Sequence, residues 1–334
     1  MKIPQLRVCV TEICDKKCFY CRPEGEGCAS IERESKLSAD DFIFLINEIV
    51  NAGVSIIRFT GGEPMLNKDI YKIINAVHRM KNVKDVSIVT RSLKLKEQAP
   101  LLKEAGINSI TVSLDSLNRD KLKEITKVDL LEKLVDGIKA CSEIDLPVKL
   151  NTVIMKGVNE NEIEDFIQFA GSVKNVDWKL LDYILLPKQF LTDNDNKYFF
   201  DLTNLLPRLR ELSEEEFIET QAGGLGIPMP TFKMKNGVIV SVKNSTIGNH
   251  YGDTCINCSH FPCQDGIMAL RLTADGKLQR CLYREDNLID LKPLLYTDNP
   301  RLRSSINEAL DTFKKSVFHP NAWSPHIREP IFAY

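Results

Sequence analysis

The stretch Cys14-Asp15-Lys16-Lys17-Cys18-Phe19-Tyr20-Cys21 places three cysteines in the spacing C-x3-C-x2-C. Iron–sulfur clusters are bound by cysteine thiolates, and a four-iron cluster needs four ligands. Three thiolates in one short loop would leave one iron open to a small molecule, as catalytic zinc keeps one open position. A zinc loop and three unrelated thiols are the alternatives, but zinc sites usually add a second cysteine pair or histidines. The nearest histidine in the sequence is His78, so the spacing favours a cluster.

The composition, with 43% hydrophobic and 27% charged residues, is that of an ordinary globular protein. Its 334 residues could form one large α/β domain or two smaller ones. A net charge of −2 argues against a nonspecific nucleic-acid binder, and no apolar run reaches the length of a membrane span. The amino terminus shows no signal peptide, which predicts a cytoplasmic protein. Seven of the ten cysteines fall in two groups, which favours metal ligation over disulfides, and we interpret Cys9, Cys28 and Cys141 as structural.

The first half of the chain alternates β-branched runs with amphipathic helical patterns, which predicts βα units and a parallel sheet. The six predicted strands cover residues 6–11, 55–60, 86–90, 109–114, 148–155 and 176–185. The predicted helices between them cover residues 38–50, 68–80, 96–105, 130–143 and 160–173. Six such repeats predict an incomplete barrel.

Alternation along four of these strands predicts a polar face, because residues two apart share one side of a strand. The pairs on that face are Arg7 and Cys9, Arg58 and Thr60, Ser113 and Asp115, and Lys149 and Asn151. The opposite faces are apolar and suit packing under helices. We therefore expect the polar row inside the barrel, near the carboxyl ends of its strands, where barrel active sites lie.

The regular alternation stops near residue 187, so we predict two domains, residues 1–187 and 188–334. The second begins with a polar linker or lid at 189–198 and a helix at 202–219. A β-hairpin at 231–242 should turn at Asn236-Gly237 and a second at Asp275-Gly276, with Cys281 on its returning strand. A helix at 299–318 and an irregular tail complete the chain.

A second cysteine group, Cys255-x2-Cys258-x4-Cys263-x17-Cys281, supplies four soft ligands. Either a second four-iron cluster or a structural zinc would satisfy this set. A disulfide pair is the third alternative, and it suits a reducing compartment least.

The order of these motifs resembles the radical S-adenosylmethionine (SAM) enzymes, and most closely the MoaA family of GTP 3′,8-cyclases. Six segments carry the resemblance: the cysteine loop with its aromatic residue before Cys21, and residues 6–8, 58–64, 112–116, 148–151 and 270–282. It covers almost the whole chain. It implies an α/β fold, an incomplete (βα)6 TIM-like barrel followed by a C-terminal α+β domain with an auxiliary cluster.

The resemblance also implies cofactors and site residues. A [4Fe–4S] cluster on Cys14, Cys18 and Cys21 would bind SAM through its open iron and cleave it to a 5′-deoxyadenosyl radical. The residues implied to line SAM are Tyr20, Gly61, Gly62, Glu63, Pro64, Thr90, Ser113 and Asn151. Those implied to hold an anionic substrate are Arg7, Arg58, Lys149, Lys179 and Arg271. Cys255, Cys258, Cys263 and Cys281 would hold an auxiliary [4Fe–4S] cluster.

Several positions depart from the family pattern on the substrate side. The second group has four cysteines where the family has three, and Lys179 stands where arginine is usual. The family's Thr-Asn-Gly is Thr90-Arg91-Ser92 here, and its terminal glycine pair is replaced by residues 330–334. We therefore predict a divergent paralogue.

The leading hypothesis is a radical SAM enzyme of lyase or cyclase type that abstracts hydrogen from an anionic, nucleotide-type substrate between two clusters. Cyclisation, rearrangement or decarboxylation would follow, with an external donor such as flavodoxin or ferredoxin and without nucleic acid or membrane. The alternatives are GTP 3′,8-cyclase itself, a peptide-modifying radical SAM enzyme, and a non-enzymatic two-cluster electron carrier or zinc-stabilised binding module. The last would leave the polar barrel face without a role.

Overall fold

The computed structural model describes residues 2–21, 36–185, 196–220, 225–284, 286, 288–296 and 300–320. Cys28, most of the predicted 189–198 linker and the tail beyond residue 320 lie outside the described residues. Among the described residues, no helix is long and apolar enough to span a membrane.

The first half consists of repeated βα units, as the sequence predicted. Its elements are β1 Gln5–Cys9, α1 Ala39–Asn51, β2 Ile56–Thr60, α2 Ile70–His78, β3 Asp85–Thr90, α3 Leu95–Ala105, β4 Ser109–Ser113, α4 Arg119–Thr126, α5 Leu131–Glu143, β5 Val148–Ile154, α6 Ile163–Gly171 and β6 Val176–Asp182. Local signals fix their ends: Ser38 and Asp41 form a capping box before α1, and Gly106 ends α3 with a φ of 103°.

Helix α4 was not predicted, because its sequence lacks a strong apolar stripe. Asn118 caps it by accepting hydrogen bonds from the backbone amides of Asp120 and Lys121, at 3.0 and 3.1 Å. Leu122 and Ile125 are its buried apolar residues. The helix has a functional consequence, since its last turn contacts the cysteine loop.

The second half adds shorter elements. These are α7 Leu206–Leu212, β7 Ser213–Glu219, β8 Met229–Met234, β9 Ile239–Lys243, β10 Gly248–Tyr251, β11 Ala269–Leu272, β12 Lys277–Gln279, β13 Leu288–Asp290, α8 Pro300–Lys314 and β14 Val317–Pro320. The hairpins at Asn236-Gly237 and Asp275-Gly276 are confirmed, and both turn glycines have positive φ. Cys281 lies two residues beyond β12 rather than on it.

Two predicted helices in this half were wrong at their carboxyl ends. The helix expected at 202–219 stops at Leu212, and residues 213–219 form β7, paired antiparallel with β8. Three consecutive glutamates favour a helix by propensity, but ladder hydrogen bonds to β8 override that preference. The last helix ends at Lys314, because residues 317–320 pair antiparallel with β10 as β14.

Twelve strands of the described chain form one sheet, in the order β13-β12-β11-β1-β2-β3-β4-β5-β6-β9-β8-β7. The six barrel strands pair in parallel in chain order, which confirms the predicted α/β fold. The C-terminal half extends this sheet at both edges, since β11 pairs in parallel with β1 and β9 with β6. The boundary near residue 187 stays a prediction.

The two faces of the sheet differ in character, as the alternation predicted. The apolar face packs under the helices; Trp178, for example, stacks on Phe166 of α6 with 4.8 Å between ring centroids and donates to the Thr152 hydroxyl at 2.8 Å. The opposite face carries Arg7, Arg58, Lys149 and Lys179. That face holds the candidate site.

Candidate active site

The cysteine loop follows the carboxyl end of β1 and is held by the segment Gly61–Pro64, which follows β2. The amide N–H groups of Gly62 and Glu63 donate to the carbonyl oxygens of Thr11 and Ile13, at 2.7 and 2.8 Å. These two hydrogen bonds place the start of the loop. The position of the loop is therefore fixed by the backbone of a neighbouring βα connection.

The two glycines are required by this close approach of backbone to backbone. Gly61 has a φ of 149°, and a Cβ there would collide with the Thr11 carbonyl oxygen. A Cβ on Gly62 would lie 2.6 Å from the Glu12 carbonyl oxygen. The sequence predicted a close approach to a ligand; in the structure these glycines contact the cysteine loop, and their contact with SAM stays a prediction.

The other side of the loop is anchored to α4. The amides of Lys17 and Phe19 donate to the carbonyl oxygens of Thr126 and Ile125, at 3.1 and 3.2 Å. The Phe19 ring also packs on Tyr198, with 4.8 Å between centroids. The loop is thus fixed from two sides.

The three thiols of the loop lie close enough to influence one another. Cys14 and Cys21 are exposed, whereas Cys18 is half-buried. Burial raises the pKa of Cys18 to about 11, against the opposing effect of the Arg91 guanidinium. A metal bound here would have to displace that proton, because the thiolate is the ligand.

Glu63 is a buried junction beside the loop, with 2% exposure. Its carboxylate accepts hydrogen bonds from the Thr90 hydroxyl at 2.5 Å and from the Arg91 amide at 2.8 Å. The Lys16 ammonium lies 3.5 Å away and pairs with Asp15 at 2.6 Å. Glu63 therefore connects the end of β3 to the cysteine loop. Its contact with SAM stays a prediction.

The Arg91 side chain connects the cysteine loop to β4. Its guanidinium donates to Cys18 Sγ at 2.9 Å, to the Tyr20 hydroxyl at 3.0 Å, to Asp115 Oδ2 at 2.6 Å and to the Ser113 carbonyl oxygen at 2.8 Å. Tyr20 itself donates to the same Asp115 oxygen at 2.7 Å. Burial raises the pKa of Tyr20 well above its usual value, so its hydroxyl stays protonated.

Ser113 and Asn151, two of the predicted SAM residues, lie on neighbouring strands of the barrel face. Ser113 of β4 is in register with Asn151 of β5, which is in register with Lys179 of β6. Pro64 is buried in a short turn that begins immediately after Glu63. The structure thus brings the predicted cofactor residues to one end of β1 to β5.

The predicted substrate residues also share this face. In register, Arg271 of β11 lies beside Arg7 of β1, which lies beside Arg58 of β2. Lys149 is two residues before Asn151 and lies on the same face of β5. Asn151 is in register with Lys179 of β6. Register and strand alternation thus converge the five cations that the sequence predicted.

A sixth cation, Lys243 of β9, was missed. It is two residues from Ser241, which is in register with Lys179, so it shares the cationic face. Burial lowers the pKa of Lys243, partly opposed by the carboxylates of Asp182 and Asp265. The polar face was predicted only from strands before residue 187, although residues 239–243 also contain alternating apolar and polar side chains.

Lys179 is a cation of this face with a lowered pKa, and it is 9% exposed. Burial is the main cause that lowers its pKa to about 7, followed by the positive charges of Lys149 and Arg58. The negative charge of Glu219 raises the pKa of Lys179 and partly opposes these effects. Asp265 lies 3.6 Å from Arg271 and balances part of this charge. Buried like charges are costly unless they are paired, so the face is suited to bind a polyanion.

The second cysteine group lines one pocket of the structure. Cys255, Cys258, Cys263 and Cys281 line it together with Arg284. Burial raises the pKa of Cys281 to about 11 and that of Cys263 well above its usual value. The four cysteines thus line one pocket, and their role as ligands stays a prediction.

The numbers of thiols in the two groups match the numbers of protein ligands that four-iron clusters take. Among the residues that the structure describes, no three histidine, cysteine or acidic side chains are arranged to hold one metal ion. Tetrahedral zinc needs its sulfur ligands within about 2.3 Å of one centre. Four thiols are enough to ligate all four irons of a cluster, and three thiols in a partly exposed loop would leave one iron open.

The two cysteine sites lie towards opposite ends of the same strands. Cys14 follows the carboxyl end of β1. The strand β12 returns antiparallel to β11, with Gln279 beside Arg271, so Cys281 lies towards the amino end of β1. Along the strands, the row of Arg271, Arg7 and Arg58 comes between the two ends.

Sequence comparison agrees with this geometry. A protein-family model described as "Radical SAM superfamily" matches residues 8–170 of this chain. A GTP 3′,8-cyclase from Listeria monocytogenes is 31% identical over 92% of this chain and 86% of that protein. A probable GTP 3′,8-cyclase from Pyrococcus abyssi is 34% identical over 94% of each chain.

Structural comparison supports the same fold. The Streptococcus suis protein SuiB, bound to precursor peptide SuiA, matches with a TM-score of 0.59 over 92% of this chain and 67% of that one, at 17% identity. The predicted cofactors, a SAM-binding [4Fe–4S] cluster, SAM and a second [4Fe–4S] cluster, are those of the family. Their ligand residues stay predictions. The chain belongs to the radical SAM superfamily and is a MoaA-like enzyme within it.

Proposed function

We propose that the protein reductively cleaves SAM to a 5′-deoxyadenosyl radical and abstracts hydrogen from an anionic, nucleotide-type substrate held between two iron–sulfur clusters. Cyclisation, rearrangement or decarboxylation of the substrate follows. Cys14, Cys18 and Cys21 hold the SAM cluster; Cys255, Cys258, Cys263 and Cys281 hold the auxiliary one.

The observation that carries this proposal is the convergence of cations on the interior face of the strands. Arg7, Arg58, Lys149, Lys179 and Arg271 share that face, and the pKa of Lys179 is lowered first by burial and then by the positive charges of Lys149 and Arg58. A polyphosphate would relieve the repulsion, and arginine binds phosphate oxygens with two donors at once. This chemistry favours a nucleotide over a neutral metabolite or a peptide.

The SAM side of the site follows from the contacts around the cysteine loop. SAM would lie over the loop against Gly61, Gly62 and Glu63, with Thr90, Ser113 and Asn151 on the neighbouring strands. Tyr20 would face its adenine side, with its hydroxyl fixed by Asp115. The chain's own residues orient the two reactants and exclude water, and the clusters supply the electron chemistry.

A second candidate is GTP 3′,8-cyclase itself. It is favoured by the names of the relatives, which are 31–34% identical over most of this chain. The cationic row would then hold the GTP triphosphate. The fourth cysteine, Cys281, distinguishes the candidates, because four protein ligands leave no iron of the auxiliary cluster free to bind a guanine base.

The remaining partners follow from the reaction. An external one-electron donor of the flavodoxin or ferredoxin type would reduce the SAM cluster. We expect the reaction to take place in the cytoplasm, where reduced thiols and clusters persist.

The test is anaerobic reconstitution followed by incubation with SAM, dithionite and each of GTP, ATP, CTP and UTP. We expect about eight irons per chain and 5′-deoxyadenosine whose formation is accelerated by a nucleotide. A Lys149→Met variant, with the same iron content, should lose that acceleration while keeping slow SAM cleavage, because it removes only a cation of the substrate face.

The outcomes separate the candidates. Consumption of GTP with a cyclised product identifies a GTP 3′,8-cyclase, whereas acceleration by another nucleotide supports a paralogue. An iron content of about four with bound zinc would overturn the two-cluster assignment. SAM cleavage that no nucleotide accelerates would overturn the substrate class.

A further inference from the structure

Arg91 is a buried arginine that occupies an unusual position beside the cysteine loop. It follows the last residue of β3, and it is 7% exposed. Its backbone amide donates to Glu63 Oε2 at 2.8 Å, so the residue is fixed at the main chain as well as at the side chain. Nothing in the proposed substrate or SAM contacts requires an arginine here.

The guanidinium is held in one orientation by three acceptors besides the thiol. Nε donates to the Ser113 carbonyl oxygen at 2.8 Å, and Nη2 donates to Asp115 Oδ2 at 2.6 Å and to the Tyr20 hydroxyl at 3.0 Å. Asp115 is 1% exposed and is itself fixed by the Val153 amide at 3.0 Å. Only a planar fork of donors can meet these acceptors at once.

The remaining donor of the fork points at the loop. Nη1 lies 2.9 Å from Cys18 Sγ, the one half-buried thiol of the three. An arginine side chain stays protonated in proteins, so this is a charged donor directed at a sulfur. Such hydrogen bonds are stronger than neutral ones, and burial strengthens them further.

We propose that Arg91 is a positioning residue that raises the reduction potential of the SAM cluster by donating a charged hydrogen bond to Cys18 Sγ. This rests on the proposed assignment of Cys18 as a cluster ligand. Hydrogen bonds to the sulfurs and net charge are among the factors that set cluster potentials. A charged donor stabilises the more negative, reduced form more than the oxidised form.

The redox step balances simply. One electron passes from a low-potential donor of the flavodoxin or ferredoxin class to the cluster, the donor is oxidised by one electron, and no proton moves. Arg91 stays protonated throughout and makes or breaks no covalent bond. Its contribution is to the equilibrium of that transfer.

A purely structural role for Arg91 gives a different expectation. If the arginine only holds the loop, its removal would lower iron content or thermal stability but leave the potential of any loaded cluster unchanged. The potential is therefore the deciding readout, and it requires neither a substrate nor turnover.

The experiment is an EPR-monitored redox titration of the reconstituted holoenzyme, with the SAM cluster identified by the change in its signal on adding SAM. For Arg91→Met we expect the reduction equilibrium to fall about tenfold, which is about 59 mV for a one-electron couple. Arg91→Gln keeps a neutral donor and should give a smaller fall. Arg208→Met, an exposed arginine paired with Glu164 and Glu211, is the matched control and should leave the potential unchanged.

An unchanged potential in Arg91→Met and Arg91→Gln at full iron content would overturn the proposal. Loss of the SAM cluster from both variants would also overturn it, in favour of a role in assembly. The proposed function fails separately, if the wild-type protein forms no cluster whose signal responds to SAM.

Discussion

At the scale of single residues, Lys179 links the site's electrostatics to its function. It is buried against Lys149 and Arg58, and its pKa is lowered to about 7. A lysine that is half-charged near neutral pH gains charge when an anion binds beside it. The cationic face is therefore sensitive to pH in the range in which the enzyme works.

Replacing Lys179 with arginine should change the pH dependence of nucleotide binding. In the free enzyme Lys179 loses its proton above pH 7, and a bound polyanion raises its pKa again. Binding then takes up a proton, so affinity for GTP should fall up to about tenfold for each pH unit above 7. In Lys179→Arg the cation stays charged, and the fall should disappear.

Equilibrium dialysis with GTP between pH 7 and 9 checks this expectation, above the range in which the nucleotide's own phosphate titrates. Glu164→Gln, a surface change, should keep the wild-type slope. An equally steep fall in Lys179→Arg would place the titrating group elsewhere.

Single residues also mark where sequence analysis stops. The cations Arg7, Arg58 and Lys149 were predicted on one face, because strand alternation is a local signal. Arg91 was noticed only as a departure from the family motif. Its contacts with Cys18, Tyr20 and Asp115 reach residues up to 73 positions away, and no local pattern encodes such contacts.

At the scale of elements, the cysteine loop is positioned by its neighbours rather than by its own structure. The glycine segment after β2 holds one side through two backbone hydrogen bonds, and the end of α4 holds the other. The sequence predicted the loop and the glycines, but not α4. Its short helix is specified mainly by the Asn118 cap and by packing, which a search for apolar periodicity misses.

Adding one methyl group at Gly62 should disturb this arrangement. Its Cβ would lie 2.6 Å from the Glu12 carbonyl oxygen, and backbone atoms cannot move aside as a flexible side chain can. Overpacking of this kind costs about 1–3 kcal/mol. We expect Gly62→Ala to fold, by circular dichroism, but to lose roughly half of its eight irons.

Gly157→Ala is the matched control, because its Cβ would meet open space. It carries only the strain of a left-handed backbone, with a φ of 73°. Its iron content should equal that of the wild type. Full iron content in Gly62→Ala would show that the loop does not depend on this close approach.

Another element, β7, shows why propensity misled the prediction. Residues 214–216 are three glutamates, which favour a helix and hide the alternation of a strand. Pairing with β8 places Glu219 at the far end of the strand, where it accepts from the Ser241 hydroxyl at 3.1 Å. The element that supplies this carboxylate was therefore found only in the structure.

At the scale of the whole molecule, one sheet carries both halves of the site. The barrel strands β1 to β6 were predicted from repeated local patterns, whereas the parallel pairing of β11 with β1 and β9 with β6 was not. Edge pairing depends on long-range topology. Its consequence is functional, since it brings Arg271 and Lys243 to the cationic face and Cys281 to the opposite end of the strands.

The most direct test of the central claim is hydrogen transfer from a nucleotide to SAM-derived 5′-deoxyadenosine. Each of GTP, ATP, CTP and UTP, deuterated throughout the ribose, would be incubated with reconstituted enzyme, SAM and dithionite, and the 5′-deoxyadenosine analysed by mass spectrometry. The account predicts deuterium in 5′-deoxyadenosine from at least one of these nucleotides. SAM cleavage by an enzyme with both clusters intact, without deuterium from any of the four, would contradict it.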